Sequence, residues 1–291
     1  MKIGLHIADF TYPAGPAGLA DDLTRIVVAA EEAGFARVSV MDHVWQIPAV
    51  GPVHHDMLEA YTTLGFIAAR TSTVELLAWV SAVTYRHPGM LAKLVSTLDV
   101  LSKGRAWLGI GAAWNGEEAA GLGLPFPPLG ERFERLDETL RICRQMWSGS
   151  EAPFEGRHYT LGRTLNAPQP LRRPPILIGG GGERRTLRLV ARHAQACNLF
   201  AGTDLAHKLD VLRGHCAAEG RDYDEIEKTV LVQLDPGDRG EHIDALRAQL
   251  EGFAALGFAE AHCWLPRMWQ TERLALLGRE LVPAAAALHR Q

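Results

Sequence analysis

Apolar residues along this chain switch repeatedly between short continuous runs and a helical period, and that alternation limits the possible folds more than any single motif. Strand-like runs fall at 3–8, 37–43, 74–83, 105–112, 175–182, 196–200, 229–234 and 260–265. Helix-like stretches follow each of them, at 19–33, 57–70, from Pro88 onward, and at 131–147, 183–194, 205–218, 241–255 and 271–281. In the first helix Leu19, Leu23, Ile26, Val27 and Ala30 share one face, as a period of 3.6 requires. Asp56 and Glu59 read as the capping pair of the second, and Pro88 suits the first turn of the third, where a missing amide loses no bond. Strands alternating with helices imply a parallel sheet covered by helices, and near-continuous apolar strands fit one buried on both faces. Eight such units in 291 residues favour a closed (β/α)8 barrel, one domain over 1–291. The first strand lacks a GxGxxG, which argues against an open dinucleotide-binding sheet. Two irregular insertions interrupt the series, one after strand four ("NGEEAAGLGLPFPPLG") and one before strand five.

Composition removes several classes of function. A net charge of −4 without a basic cluster argues against a nucleic-acid surface. No apolar run reaches the roughly 18 residues of a membrane span, and the apolar part of "MKIGLHIADF" is too short for a signal peptide. Cys143, Cys197, Cys216 and Cys263 show no CxxC spacing and read as free thiols of a reducing cytoplasm. "HHD" at 54–56 lacks a helix-borne ligand spacing, so no metal is expected.

A barrel places its active site where the strands end, and the chemistry-bearing residues cluster there. The apolar strand "RVSVM" ends in Asp42-His43, with Trp45 close behind. An imidazole's ordinary pKa near 6.5 keeps both of its forms within reach at neutral pH, so His43 is the leading acid/base candidate. Asp42 either orients it or is structural. Strand three ends in Ser81-Ala82, small residues against which a flat ligand fits. Arg86 and His87 follow, to close the rim or hold substrate. Strand four ends in Gly111 and Ala112, then Trp114 and Asn115, with Glu117 and Glu118 just behind; an amide both donates and accepts, so Asn115 suits reading a ring edge. Four glycines, Gly179, Gly180, Gly181 and Gly182, join strand five to a helix, with Arg184 and Arg185 in its expected first turn. Bare backbone beside a helix N-terminus makes a phosphate cradle.

Several of these stretches occur together in a known order. "ARVSVMDHVWQIP", "VSAVTYRHPGMLAKLVSTLDVLSKGRAWLGIGAAWNGEE", "PFPPLGERFERLDETLRICRQMW", "FEGRHYTL" and "RPPILIGGGGERRTLRLVARHAQACNLF" resemble the luciferase-like monooxygenase superfamily. Within it they resemble most the coenzyme F420-dependent oxidoreductases of actinobacteria. The likeness spans residues 1 to about 235; the last 55 are only barrel-like. It implies a luciferase-like TIM barrel, usually a homodimer, with F420 or FMN at the strand ends. It implies a cis peptide in strand three, matched here at Ala82-Val83, and a phosphate loop that includes Glu183. It implies a ring contact from Asn115 and a reactive-carbon pair in Asp42 and His43. Trp45, Trp114 and Arg86 are expected in the substrate pocket. Sugar-phosphate dehydrogenases of the family carry an acidic residue in the strand-four loop. Its approximate counterpart here is Trp114, which points to a more apolar pocket. Gln195 stands where many relatives have Asp.

The expected activity is hydride transfer between the deazaflavin C5 and a small organic substrate. An FMN-dependent monooxygenase shares nearly all these motifs and stays open as an alternative, as does a cofactor-binding protein without catalysis.

Overall fold

The computed structural model describes residues 1–202 and 204–288. Its elements run β1 (Lys2–Ile7), α1 (Gly15–Glu32), β2 (Arg37–Val40), α2 (Ala60–Ala68), β3 (Glu75–Ala78), β4 (Ser81–Ala82), α3 (Pro88–Leu101) and β5 (Leu108–Gly111). Then come α4 (Gly116–Gly121), α5 (Leu129–Met146), a hairpin of β6 (Phe154–Glu155) and β7 (Thr160–Leu161), β8 (Ile176–Gly179), α6 (Thr186–His193) and β9 (Ala196–Phe200). The chain continues through α7 (Leu205–Glu219), β10 (Glu227–Gln233), α8 (Ile243–Ala255), β11 (Glu260–Trp264), α9 (Thr271–Glu280) and α10 (Val282–Ala287).

Nine strands pair in the order β3-β2-β1-β11-β10-β9-β8-β5-β4. Every pairing in that sheet is parallel. Leu76 bridges to Ala106 and closes the ring: the Leu76 amide donates to Arg105 O at 2.9 Å, and the Trp107 amide to Leu76 O at 2.8 Å. Both β3 and β4 therefore lie along the β5 segment, and together they form one interrupted stave of an eight-stave barrel.

The interruption is at Trp79–Val80, whose peptide bond is cis. Sequence reading placed it at Ala82–Val83. That stretch is regular ladder instead: Ser81 and Ala82 sit in register with Ile110 and Gly111, and the Val83 amide reaches Gly111 O. The break falls upstream, where pairing passes from β2, through the Trp79 amide on Val40 O at 2.7 Å, to β5. Neighbouring strands make room for it. A Cβ on Gly111 or Gly179 would lie 3.0 Å from the Val80 side chain.

The lower barrel is filled by a polar ladder. Arg37 is fully buried, ion-paired to Glu75, Glu227 and Glu260, and its guanidinium lies 4.1 Å from the Trp107 ring centre. Glu260 bonds His262 Nδ1, His262 Nε2 bonds Ser39 Oγ, and Ser39 Oγ bonds His6 Nδ1, at 2.8, 2.7 and 2.8 Å. His262 also stacks on Trp79, with ring centres 4.0 Å apart. Burial pushes both His6 and His262 well below the ordinary imidazole range, so both are neutral. Gly4 is obligatory beside them, since a Cβ there would press on His262 and lie 2.5 Å from Glu260 Oε1.

Several boundaries differ from the sequence reading. The second helix begins at Ala60; its cap is Glu59, whose carboxylate accepts from the Thr62 amide at 2.7 Å, so Asp56 has no capping role. The helix expected from 183 begins at Thr186, leaving Arg184 and Arg185 in the preceding turn. The two insertions hold α4 and the β6–β7 hairpin, and α10 follows α9. Gln195 accepts the Ile176 amide at 3.0 Å and so pins the entry to β8.

Candidate active site

The C-terminal ends of the strands enclose a cavity of about 580 Å3, within the range of small-molecule sites. His6 within β1 and Ala8 just after it lie on its wall, with Asp42 and His43 after β2, and Trp79, Val80, Ser81 and Ala82 along the interrupted stave. Gly111 ends β5, with Ala112, Trp114 and Asn115 after it; Gly179 ends β8, with Gly180, Gly182 and Thr186 after it; Asn198, Leu231 and Trp264 come from the last strands. Ile47, Val50, Leu129 and Phe133 add apolar surface. No lysine or arginine is among the described wall residues.

Asp42 and His43 leave the same strand and do different work. Asp42 is buried and grips Arg86 with both oxygens, at 2.6 and 2.8 Å, while its Oδ2 also accepts the Ala82 amide at 3.2 Å. It ties the end of β2 to β4 and does not touch His43. Arg86 is saturated by Asp42 and Glu59, and its guanidinium lies over the Tyr61 ring; it is absent from the cavity wall. Burial opposes its charge, but Asp42 and Glu59 outweigh this and push the guanidinium pKa up.

The carboxylate that orients His43 is Glu118, from α4, 75 residues along the chain. Glu118 Oε2 bonds His43 Nδ1 at 2.7 Å and accepts the Tyr85 hydroxyl. Its Oε1 accepts the amides of Val44 and Trp45. The side chain has no solvent exposure. Burial alone would raise its pKa, but bonds from His43, Tyr85 and the Trp45 amide outweigh that and hold the carboxyl at about 2. An ionised carboxylate only accepts, so His43 carries its hydrogen on Nδ1 and leaves Nε2 free as an acceptor. Trp114 meets the His43 ring edge-on, with centres 5.4 Å apart.

Asn115 reaches the wall but also caps α4, its Oδ1 accepting the Glu118 amide at 3.2 Å. It therefore positions the residue that orients His43. Trp45, expected in the pocket, packs instead against Gly121 of α4. Val83 is buried behind the wall. Glu183 is also off the wall, paired to Lys208 and His207.

The glycine loop has the form of a cradle. Gly180 has φ +112°, open to glycine and strained for other residues. Its amide is bonded to Asn198 O at 3.2 Å, whereas the amides of Gly181 and Gly182 have no acceptor among the described residues. A Cβ on Gly182 would lie 2.8 Å from Thr186 Oγ1, and one on Gly181 would lie 3.7 Å from Lys208 Cε. Free amides, a hydroxyl, a nearby ammonium and the start of α6 suit a phosphate.

The model of the luciferase-like monooxygenase family matches residues 1–287. The chain belongs to that family. Among its curated relatives, the F420-dependent glucose-6-phosphate dehydrogenase of Nakamurella multipartita is 35% identical over 230 residues, 76% of this chain. The enzyme of that name from Microbacterium testaceum is 32% identical over 222 residues, 74% of this chain. The chain matches only 64% of the length of each. An F420-dependent secondary alcohol dehydrogenase, solved with an F420–acetone adduct, superposes with a TM-score of 0.79 at 18% identity, covering 98% of this chain and 99% of its own; that likeness bears on the fold.

Tyr85, His6, Thr186, Lys208 and Phe133 were not singled out in the sequence, and Glu118 was named only as a companion of Asn115, with no role toward His43. One signal was present for Glu118: "NGEE" has the spacing of a helix-capping box. Here its glutamate turns away from its own cap toward His43.

Proposed function

We propose that this chain is an F420-dependent oxidoreductase that moves a hydride between the cofactor and a small organic substrate with a hydroxyl or carbonyl group. The observation that carries the reading is His43, locked by buried Glu118, on the wall of a largely apolar cavity with a bare glycine cradle among its walls. The named relatives support F420 as the cofactor. The residues fit such a group: Val80, Ala82, Gly111 and Ala112 offer small, flat surface for a ring, and Gly181, Gly182 and Thr186 offer unbonded donors for a phosphate. When bound, the deazaflavin supplies the hydride acceptor or donor at C5.

The chain's own residues supply the rest. A cavity wall that is mostly apolar excludes water and fixes the approach of the reacting carbons, and positioning of this kind accounts for much of the rate. His43 Nε2 takes the proton of a substrate hydroxyl in the oxidative direction and returns it to a carbonyl oxygen in the other. Glu118, ionised and buried, stabilises the imidazolium that forms. Tyr85 holds Glu118 in place; burial and that carboxylate push its own pKa up, so it stays protonated. The absence of Lys or Arg from the described cavity wall speaks against a sugar phosphate and for a neutral, partly apolar alcohol or carbonyl compound. A homodimer is part of the proposal.

Titrating the purified protein with F420 and with FMN, read by fluorescence, tests the cofactor; F420 should bind at least tenfold more tightly. His43→Ala should keep that affinity and lose turnover across a panel of alcohols. Equal affinity for the two cofactors, or unchanged turnover, refutes the reading.

A further inference from the structure

Beside the cavity, between α5 and α6, lies a second cleft of about 530 Å3. Phe133 belongs to the walls of both. Six arginines line the second cleft: Arg141, Arg157, Arg184, Arg185, Arg188 and Arg192. Three carboxylates, Glu134, Asp137 and Glu138, share that lining, and Glu219 pairs Arg188 and Arg192 from outside it, so six positive and four negative charges leave +2. The whole chain carries −4, which makes this a local reversal of sign.

The carboxylates are also largely occupied. Glu138 is buried and accepts the backbone amides of Arg157, His158 and Tyr159. Asp137 bonds His193 at 2.8 Å and lies 3.9 Å from Arg141 and from Arg192. Glu134 bonds His158 and Arg157. Arg184 and Arg185 form no ion pair among the described residues; Arg185 lies over the Phe133 ring at 5.6 Å. These two follow the glycine loop after one intervening residue. Arg188 and Arg192 continue the line one and two turns along α6. From Arg185 to Arg192 the helix advances roughly 10 Å, the reach of about three extended residues.

We propose that this cleft is the subsite for a polycarboxylate tail on the bound cofactor. A phosphate seated on the glycine loop would leave whatever extends beyond it beside Arg184 and Arg185, with further guanidinium groups behind. Guanidinium forks pair carboxylates in two-bond geometry and favour a chain of them over a single point charge. The oligoglutamyl chain of F420 has that chemistry, whereas FMN ends at its phosphate and leaves the arginines unused. The inference rests on the proposed function and adds a physical reason for F420 over FMN.

The test measures dissociation constants by deazaflavin fluorescence with three probes: oligoglutamylated F420, the phospholactate form without glutamates, and the riboflavin-level deazaflavin without phosphate. The tail should tighten binding about tenfold, as expected for two solvent-exposed ion pairs, and the gain should vanish in about 0.5 M salt. Arg184→Ala combined with Arg188→Ala should abolish the gain and leave the form without glutamates within about twofold of the unaltered protein, which also reports that the variant is folded. Equal affinity for tailed and tail-free forms in the unaltered protein overturns the subsite and leaves the cofactor reading standing. Failure of all three probes to bind overturns both.

Discussion

Replacing Glu118 by Gln changes one atom in the most constrained part of the site. Four donors converge on the carboxylate: His43 Nδ1, the Tyr85 hydroxyl and the amides of Val44 and Trp45. An amide offers them one oxygen and two hydrogens. If its oxygen faces the two backbone amides, its NH2 faces His43, which must then accept at Nδ1 and carry its hydrogen on Nε2. The group presented to the cavity turns from acceptor into donor. If the amide is reversed, two buried N–H groups lose their partner. The magnitude follows from the carboxyl pKa of about 2 against an ordinary 4.5. At about 1.36 kcal/mol per pH unit this is about 3 kcal/mol in favour of the ionised form. Because the folded value is the lower one, this stabilisation is complete well above pH 4.5 and is lost as pH falls through 2. Denaturant titration should therefore show Glu118→Gln less stable by about 3 kcal/mol at pH 7, and by under half of that, on the order of 1 kcal/mol, at pH 3. Nitrogen-15 spectra of the imidazole should show the hydrogen moved from Nδ1 to Nε2. Turnover should fall by about 10²- to 10⁴-fold with F420 affinity retained. A loss below about 0.5 kcal/mol, the range of an ordinary surface change, together with an unaltered tautomer, would refute the assignment of Glu118.

Four further outcomes are expected. Gly4→Ala should destabilise by roughly 3 kcal/mol in denaturant, since its methyl group would enter the Glu260–His262 pair; Gly252→Ala in α8, where nothing lies within 4 Å, should instead stabilise by about 0.5–1 kcal/mol. Because burial keeps His6 and His262 neutral in the fold while the unfolded chain protonates both below about pH 6.5, stability should fall with acidification; His6→Asn should reduce that slope by about 1.4 kcal/mol per pH unit. Gly180→Ala, at φ +112°, should weaken F420 binding about tenfold without altering the tautomer of His43.

The barrel could be read from the chain because a parallel sheet buried on both faces writes itself as apolar runs, and the rim could be read because chemistry collects where those runs end. Periodicity is silent on other matters. It does not register α4, six residues long and rich in glycine and glutamate, and α4 carries Glu118. Asp42 stands next to His43 in sequence, but both lie beyond the end of β2 at Val40, where the loop's course hands Asp42 to Arg86 and His43 to Glu118. Arg86 and Trp45 were expected in the pocket because they flank its residues. Their size and charge are satisfied locally, by Asp42, Glu59 and Gly121, and that depends on loops whose course no pattern announces.

The Arg37-to-His6 ladder has a consequence for how such a protein can change. The floor beneath the cavity hangs on charges deep in the barrel, each of which needs the next, so an altered side chain there unsettles the fold together with the ligand. The roof is fastened through far fewer points, chiefly Glu118 and the Arg132 bonds to the carbonyls of Ala112 and Ala113. Ala119 and Gly121 are packed in place, but residues 122–130, of which only Leu129 reaches the cavity wall, can vary in character while the base of the chamber keeps its shape.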